Sequence, residues 1–323
     1  MLAKTLILGT AALLAAPFAG NAAADAPAAA PVERAERAGD WDGRLDFTLS
    51  PSGSAEERGT RTNLSLRYGE GRRQSQHSRT TNLADLAGLA PADLARNDGP
   101  VRFQLVREAG TIDCTGTARG EGRAAGTCRF APDEAFAADL ARRGIGRPDL
   151  QNQFHLAMAG VGRPLLDELA RQGYPSPRIT DLVALGIHGA DVQFLRELDA
   201  AGHRLGSLGQ LVAFRIHGVT PAFVREMAEL GYPGLGPDDL VGMRIHGVRP
   251  ERLREFAAFG YRSLSAQHIV AFAIHGVTPA FVRDMAAAGY GDLTADQLVS
   301  LRIHGVRPDD ARALNAALAS EAR

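Results

Sequence analysis

Five histidines, His188, His217, His246, His275 and His304, follow one another at intervals of 29 residues, and each lies in the triplet Ile-His-Gly. A fixed period of this length is the mark of stacked supersecondary units, so this stretch is confined to a repeat architecture. The flanks repeat too: VAFRIHGVTPAFVREMAELGY (212–232) and VAFAIHGVTPAFVRDMAAAGY (270–290) differ at four of 21 positions. The units around His246 and His304 carry Val-Arg-Pro in place of Val-Thr-Pro, which overlays a 58-residue superperiod. Degenerate copies extend upstream. Ala159-Gly160-Val161 stands one period before His188, and Asp133–Ile145 stands three periods before Thr220–Tyr232. The array is expected to span 132–318, about six units, with 319–323 as a tail.

Each unit reads as two short helices. Thr220 is an N-cap, Pro221 fits the first helical position, Val224 and Met227 mark an apolar face, and Gly231 is a left-handed stop. The second helix begins near Pro237 and is expected to bury Leu240, Val241 and Ile245. It ends at Gly247, with His246 as C-cap and Val248 paired to Met243. Thr294 followed by Gln297 is a capping box. Val212, Val241, Val270 and Val299 recur with Ile216, Ile245, Ile274 and Ile303, so both series read as a face buried by stacking. An α-solenoid and a compact bundle of stacked hairpins both satisfy this pattern.

Upstream, from 39 to 131, the period is two. Leu45, Phe47 and Leu49, then Leu64, Leu66 and Tyr68, then Val101, Phe103 and Leu105 alternate with polar residues between turn signals such as Pro51-Ser52-Gly53, Gly69-Glu70-Gly71 and Asn97-Asp98-Gly99-Pro100. This predicts a small antiparallel β domain with one buried face, and a short helix or ordered loop over 82–96. The fold class is therefore α+β. Cys114 and Cys128 each lie seven residues from Glu121, so a hairpin turning through Arg119–Arg123 sets them opposite one another, within disulfide reach. The alternative of a reactive thiol lacks CxxC spacing.

Residues 1–24 read as a secretory signal: Lys4 is the charged start, Leu6–Phe18 the apolar run, and Ala22-Ala23-Ala24 the cleavage site, with cleavage after Ala24. The apolar run is short for a membrane span, which needs about 20 residues. Residues 25–38 read as a flexible Pro/Ala linker. These features place the chain in the periplasm or outside the cell, and export suits the disulfide reading. With 36 Lys plus Arg against 37 Asp plus Glu, nothing favours nucleic acid.

The histidine ladder has two readings. In a metal-binding or metal-responsive protein, His188, His217, His246, His275 and His304 would converge on an ion. Successive rungs of a helical stack lie about 8–10 Å apart, however, whereas zinc–nitrogen bonds are about 2 Å. Helix capping needs no convergence. His155, His203 and His268 lie off the ladder.

Arg196, Arg225, Arg254, Arg283 and Arg312 form a second ladder, the first four each followed by an acid. Adjacent helical residues diverge, so pairing is expected between units rather than within one. The ladder is either a row of forks for an anionic partner or a solvated face. Phe194 and Phe223 occupy a position that becomes Arg252, Phe281 and Asp310, so Phe223 and Phe281 are either exposed contacts or local packing. HExxH, GxSxG, the phosphate loop and GxGxxG are all absent, and no cofactor is implied.

At IHGVTPAFVREMAELGY and its copies the chain resembles a helical repeat of exported bacterial proteins, some of them associated with sensor metallopeptidases of the BlaR type. The segment VRFQLVREAGTIDCTGTARGEGRAAGTCRFAPDEAF resembles the β region that precedes such repeats. The resemblance spans roughly 100–310 and implies an envelope sensing or interaction setting. It carries over no catalytic residue, since this chain has neither the membrane spans nor the HExxH of those peptidases. The expectation is a non-catalytic cell-envelope interaction or sensing module, with an envelope protein or anionic ligand as partner.

Overall fold

The computed structural model describes residues 41–53, 60–69 and 74–321. The expected signal and linker, and part of the Gly69–Gly71 turn, lie outside the described residues.

Seven antiparallel strands make one sheet: β1 (Arg44–Pro51), β2 (Arg61–Tyr68), β3 (Ser75–Asn82), β4 (Leu86–Ala87), β5 (Asn97–Arg107), β6 (Gly110–Gly120) and β7 (Arg123–Pro132). Their order is β3-β2-β1-β7-β6-β5-β4, two meanders joined where β7 returns beside β1. Leu45, Phe47 and Leu49 are buried while Arg44, Asp46 and Thr48 are exposed, the alternation that pleating demands. The sheet is curled. Phe47 on β1 and Phe103 on β5 are three strands apart, about 14 Å on a flat sheet, yet their rings meet edge to face at 5.1 Å.

Two facing glycines admit the Phe47 ring. A Cβ on Gly116 or Gly126 would fall 2.8 Å from that ring and within 2.3 Å of a carbonyl oxygen on the neighbouring strand. Next to them Cys114 faces Cys128 in a buried disulfide, with Cα atoms 4.1 Å apart. The hairpin turns at Glu121-Gly122, φ 51° and 77°, between the paired Gly120 and Arg123. Two positive φ values suit the twist of the flanking strands. The 82–96 segment holds a 3-10 turn at Leu83–Asp85, the short β4 and a helix, α1 (Pro91–Ala95).

Thirteen helices follow: α2 (Glu134–Arg142), α3 (Leu150–Ala159), α4 (Arg163–Arg171), α5 (Ile179–His188), α6 (Val192–Ala200), α7 (Leu208–His217), α8 (Pro221–Glu229), α9 (Pro237–Ile245), α10 (Pro250–Ala258), α11 (Ala266–His275), α12 (Pro279–Ala287), α13 (Ala295–Ile303) and α14 (Pro308–Glu321). From α3 onward they stack in two rows. Odd-numbered helices pack on odd and even on even, as a solenoid of hairpins requires. Successive odd helices contact one another more extensively than successive even helices do.

The Ile-His-Gly signature is a helix stop. Gly189, Gly218, Gly247, Gly276 and Gly305 all have φ between 67° and 71°. In each, the following amide bonds a carbonyl five residues back, as Val219 N to Phe214 O and Val248 N to Met243 O, both 2.8 Å. The degenerate copy obeys the same rule: Gly160 has φ 70° and Val161 N reaches Leu156 O at 3.0 Å. Helix starts are capped as expected, Thr220 accepting from Phe223 N and Thr294 exchanging bonds with Gln297.

Helix α3 belongs to both halves. Phe154 is buried against Trp41, Tyr68 and Phe130, with ring centroids 5.2–5.5 Å apart. The buried Gln153 amide donates to Ala109 O and Asp133 O at the mouth of the sheet. One hydrophobic cluster runs from the sheet through the array.

Candidate interaction surface

The isoleucines of the signature are not core. Ile187, Ile216, Ile245, Ile274 and Ile303 are 53–65% exposed, which corrects the expectation that stacking buries them. Helical geometry explains the difference. In α9 the buried residues are Leu240 and Met243; Ile245 lies two positions beyond Met243, about 200° around the axis, and so faces outward. Val183, Val212, Val241, Val270 and Val299, four residues before each isoleucine, are half-buried on this outward side. Ala184, Ala213, Gly242, Ala271 and Ser300 lie beside them with small side chains. The odd row therefore carries two apolar stripes, one packed on the even row and one facing solvent. An isoleucine left more than half exposed at each of the five rungs makes this face the candidate contact surface.

One residue on, the ladder histidines stand at the same helix ends, His246 and His304 in the C-cap position and His188, His217 and His275 as the last helical residue. His304 donates Nδ1–H to Ser300 O at 2.8 Å, the capping bond expected of a C-terminal imidazole. His188, His217 and His246 are exposed and His275 is half-buried. They stand on separate rungs. Among the described residues no group of three or more His, Cys, Asp or Glu side chains is placed to hold a metal ion.

The phenylalanine position turns out to be packing. Phe194, Phe223 and Phe281 are 4–6% exposed, each under a guanidinium from the next odd helix. Arg215 lies 4.9 Å over Phe194, Arg244 5.1 Å over Phe223 and Arg302 5.1 Å over Phe281. Arg215 and Arg302 also donate Nε–H to the carbonyls of His188 and His275, ending the preceding helix of their row. In these three rungs the ring and the arginine are 21 residues apart, whereas Phe136, at the same position of the first unit, has Ala157 there and is covered instead by Arg163, 5.4 Å from its centroid. Where the ring is replaced by Arg252 the arginine is replaced by Ala273, and where it is Leu165 the partner is Gly186. From Leu165 onward that exchange was legible in the sequence, and it favours packing over contact. A second tie joins units where Tyr261 donates its hydroxyl to Leu293 O at 2.5 Å.

Arg196, Arg225, Arg254, Arg283 and Arg312 are exposed on the even row. Arg196 pairs between units, with Glu168 at 3.0 Å. Arg283, however, pairs with its own neighbour Asp284 at 3.1 Å, and Arg312 with Asp309, so pairing within a unit does occur. Arg225 and Arg254 have no ion pair among the described residues. Glu168 is the one deeply placed acid among the described residues, its side chain 1% exposed. The Arg171 guanidinium, with help from Gln172 and Arg196, holds its carboxyl down at about 2.

A second cluster lies where α3 meets the sheet. The Tyr68 hydroxyl and His155 Nε2 share a hydrogen bond of 2.9 Å, and Gln151 donates to the same hydroxyl. His77, on the edge strand β3, stacks on Tyr68 and lies 5.2 Å from the His155 ring. Burial, then the neighbouring His77, pushes His155 down to about 4, and burial also lowers His77. No motif announced these residues. β3 is almost wholly polar, and its strand character comes from pairing with β2.

Comparison with protein-family models, with curated proteins and with solved structures finds no match. No single helix among the described residues is long and apolar enough to cross a membrane.

Proposed function

We propose that the chain is a non-catalytic protein-interaction or sensing module of the cell envelope, and that the outer face of the odd row receives its partner. The observation that carries this reading is an isoleucine more than half exposed at every one of five rungs. A soluble fold gains nothing from leaving that surface in water, at about 25 cal/mol per Å². The buried disulfide suits an oxidising compartment, in keeping with the secretory reading of residues 1–24 and with periplasmic or extracellular residence. The resemblance to exported helical-repeat proteins points the same way. On the even row, the unpaired Arg225 and Arg254 support a second, weaker contact with an anionic ligand.

The test is crosslinking capture from an envelope extract by the full chain and by two triple variants, I216S/I245S/I274S and R225A/R254A/R283A. Both variants are expected to keep the wild-type circular dichroism. The isoleucine variant is expected to lose the captured partner; undiminished capture would overturn the reading.

A further inference from the structure

We infer that the array carries a binding site for a small aliphatic carboxylate where α10 meets α9 and α11, in a recess that other rungs close with their own side chains. The inference does not rest on the docking face proposed above.

At three rungs a phenylalanine of an even helix lies under an arginine of the next odd helix: Phe194 under Arg215, Phe223 under Arg244 and Phe281 under Arg302. The same guanidinium fills the space beside the glycine that ends the preceding odd helix. A Cβ on Gly189, Gly218 or Gly276 would meet it at 3.0, 3.4 and 3.2 Å. Between α10 and α11 both partners are exchanged, for Arg252 and Ala273. There a Cβ on Gly247 would meet nothing within 4 Å. The space left is walled by Val248, Leu253, Phe256, Phe272, Ala273 and Val277. It encloses about 20 Å³, enough for the end of an alkyl chain and too little for a ring.

Arg249 and Arg252 line the same recess, and neither has an ion pair among the described residues. Arg252 is half-buried at a position where phenylalanine is 4–6% exposed in the other units. Arg249 is exposed, so the recess is charged where it meets solvent. The acids of the surrounding helices are Glu226 and Glu229 on α8, Asp238 and Asp239 on α9, Glu251 and Glu255 on α10, and Asp284 on α12. Glu251 and Glu255 stand close to Arg252 along the chain, yet none of the seven lines the recess.

Apolar walls beside two guanidinium forks select the ligand. A carboxylate accepts two parallel N–H bonds from one guanidinium. The alkyl group it carries gains by leaving water for the recess. An inorganic anion would answer the arginines and leave the apolar walls wet. An alcohol of the same length would cover the walls and leave both guanidiniums without a counter-charge. Only the acid with a short tail satisfies both.

The experiment is saturation-transfer NMR of butyrate with the full chain, with butanol and butylamine as controls. Butyrate is expected to bind more tightly than either control. R252F/A273R installs the pair carried by the other rungs, so it closes the recess within a stack already built for that pair, and its folding is checked by circular dichroism. Butyrate binding is expected to vanish in it. R252A keeps the recess and removes one fork, so butyrate affinity is expected to fall about tenfold while butanol is unaffected. Acetylglycylvaline presents the same carboxylate and alkyl group at a peptide end; tighter binding than butyrate, lost in R252F/A273R, would support the recess and assign it to a chain terminus rather than a free acid. Butyrate binding that survives R252F/A273R, butanol that binds as tightly, or no binding of either acid would overturn the inference. Should the double variant fail to fold, undiminished butyrate affinity in R252A would overturn it alone.

Discussion

The sheet and the helical array use apolar periodicity to opposite ends. In the sheet every inward residue of the alternating runs is buried, and the rings of Phe47 and Phe103 meet across the curl. In the array the same regularity yields two ladders, one of leucine, methionine and phenylalanine facing the even row and one of isoleucine facing out. A strand offers two faces, and a wrong register exposes all of one. A nine-residue helix has room for a core stripe and a second stripe on its far side. Repetition alone therefore shows that a position is constrained, and only its angle around the helix shows by what.

The largest test of this contrast is Phe47→Ala, expected to cost about 3–5 kcal/mol because the ring fills a seat bounded by Gly116 and Gly126. Trp41, the only tryptophan, sits at the sheet–α3 junction, so its fluorescence should report the loss at lower denaturant than helical dichroism does. Equal shifts in both signals would show that the two halves unfold as one unit.

Glu168→Gln should cost about 2–3 kcal/mol, read by helical dichroism, since it removes the buried charge and leaves one acceptor oxygen where Arg171 and Arg196 now have two. In the wild type this contribution is complete above pH 4.5, and it should fade as pH drops from there towards 2, because the folded-state value lies below the ordinary one.

The junction should respond earlier. His155 is held neutral to about 4 against an ordinary 6.5, so the unfolded chain binds its proton first. Stability should be full above pH 6.5 and decline as pH falls through 4, with His155→Gln flattening the slope in that window. Trp41 fluorescence that moves only below pH 4 would refute this assignment.

The smallest effect concerns the rung that lacks its ring. R252F/A273R should restore the stacked pair seen at Phe223–Arg244 and raise stability by about 0.5–1 kcal/mol. Either substitution alone should give less, and additivity would break the comparison between rungs.

Much of this was legible in the residues. The symmetry of Cys114 and Cys128 about Glu121 fixed the hairpin register, and the glycines after each histidine fixed the helix ends, because both depend on local geometry. The polar strand β3 escaped because its order is borrowed from β2, and the Tyr68–His77–His155 cluster because it joins three distant segments. The exposed isoleucines were visible as a pattern but misassigned, since being apolar at a regular interval does not specify a direction.

Helix α3 plugs the curled sheet with Phe154 and is also the first member of the odd row. Trp41 touches Phe154 from the sheet side, so its indole stands at the one joint the two halves share through α3. A loosening of that joint is therefore readable as a change in indole emission without any added label.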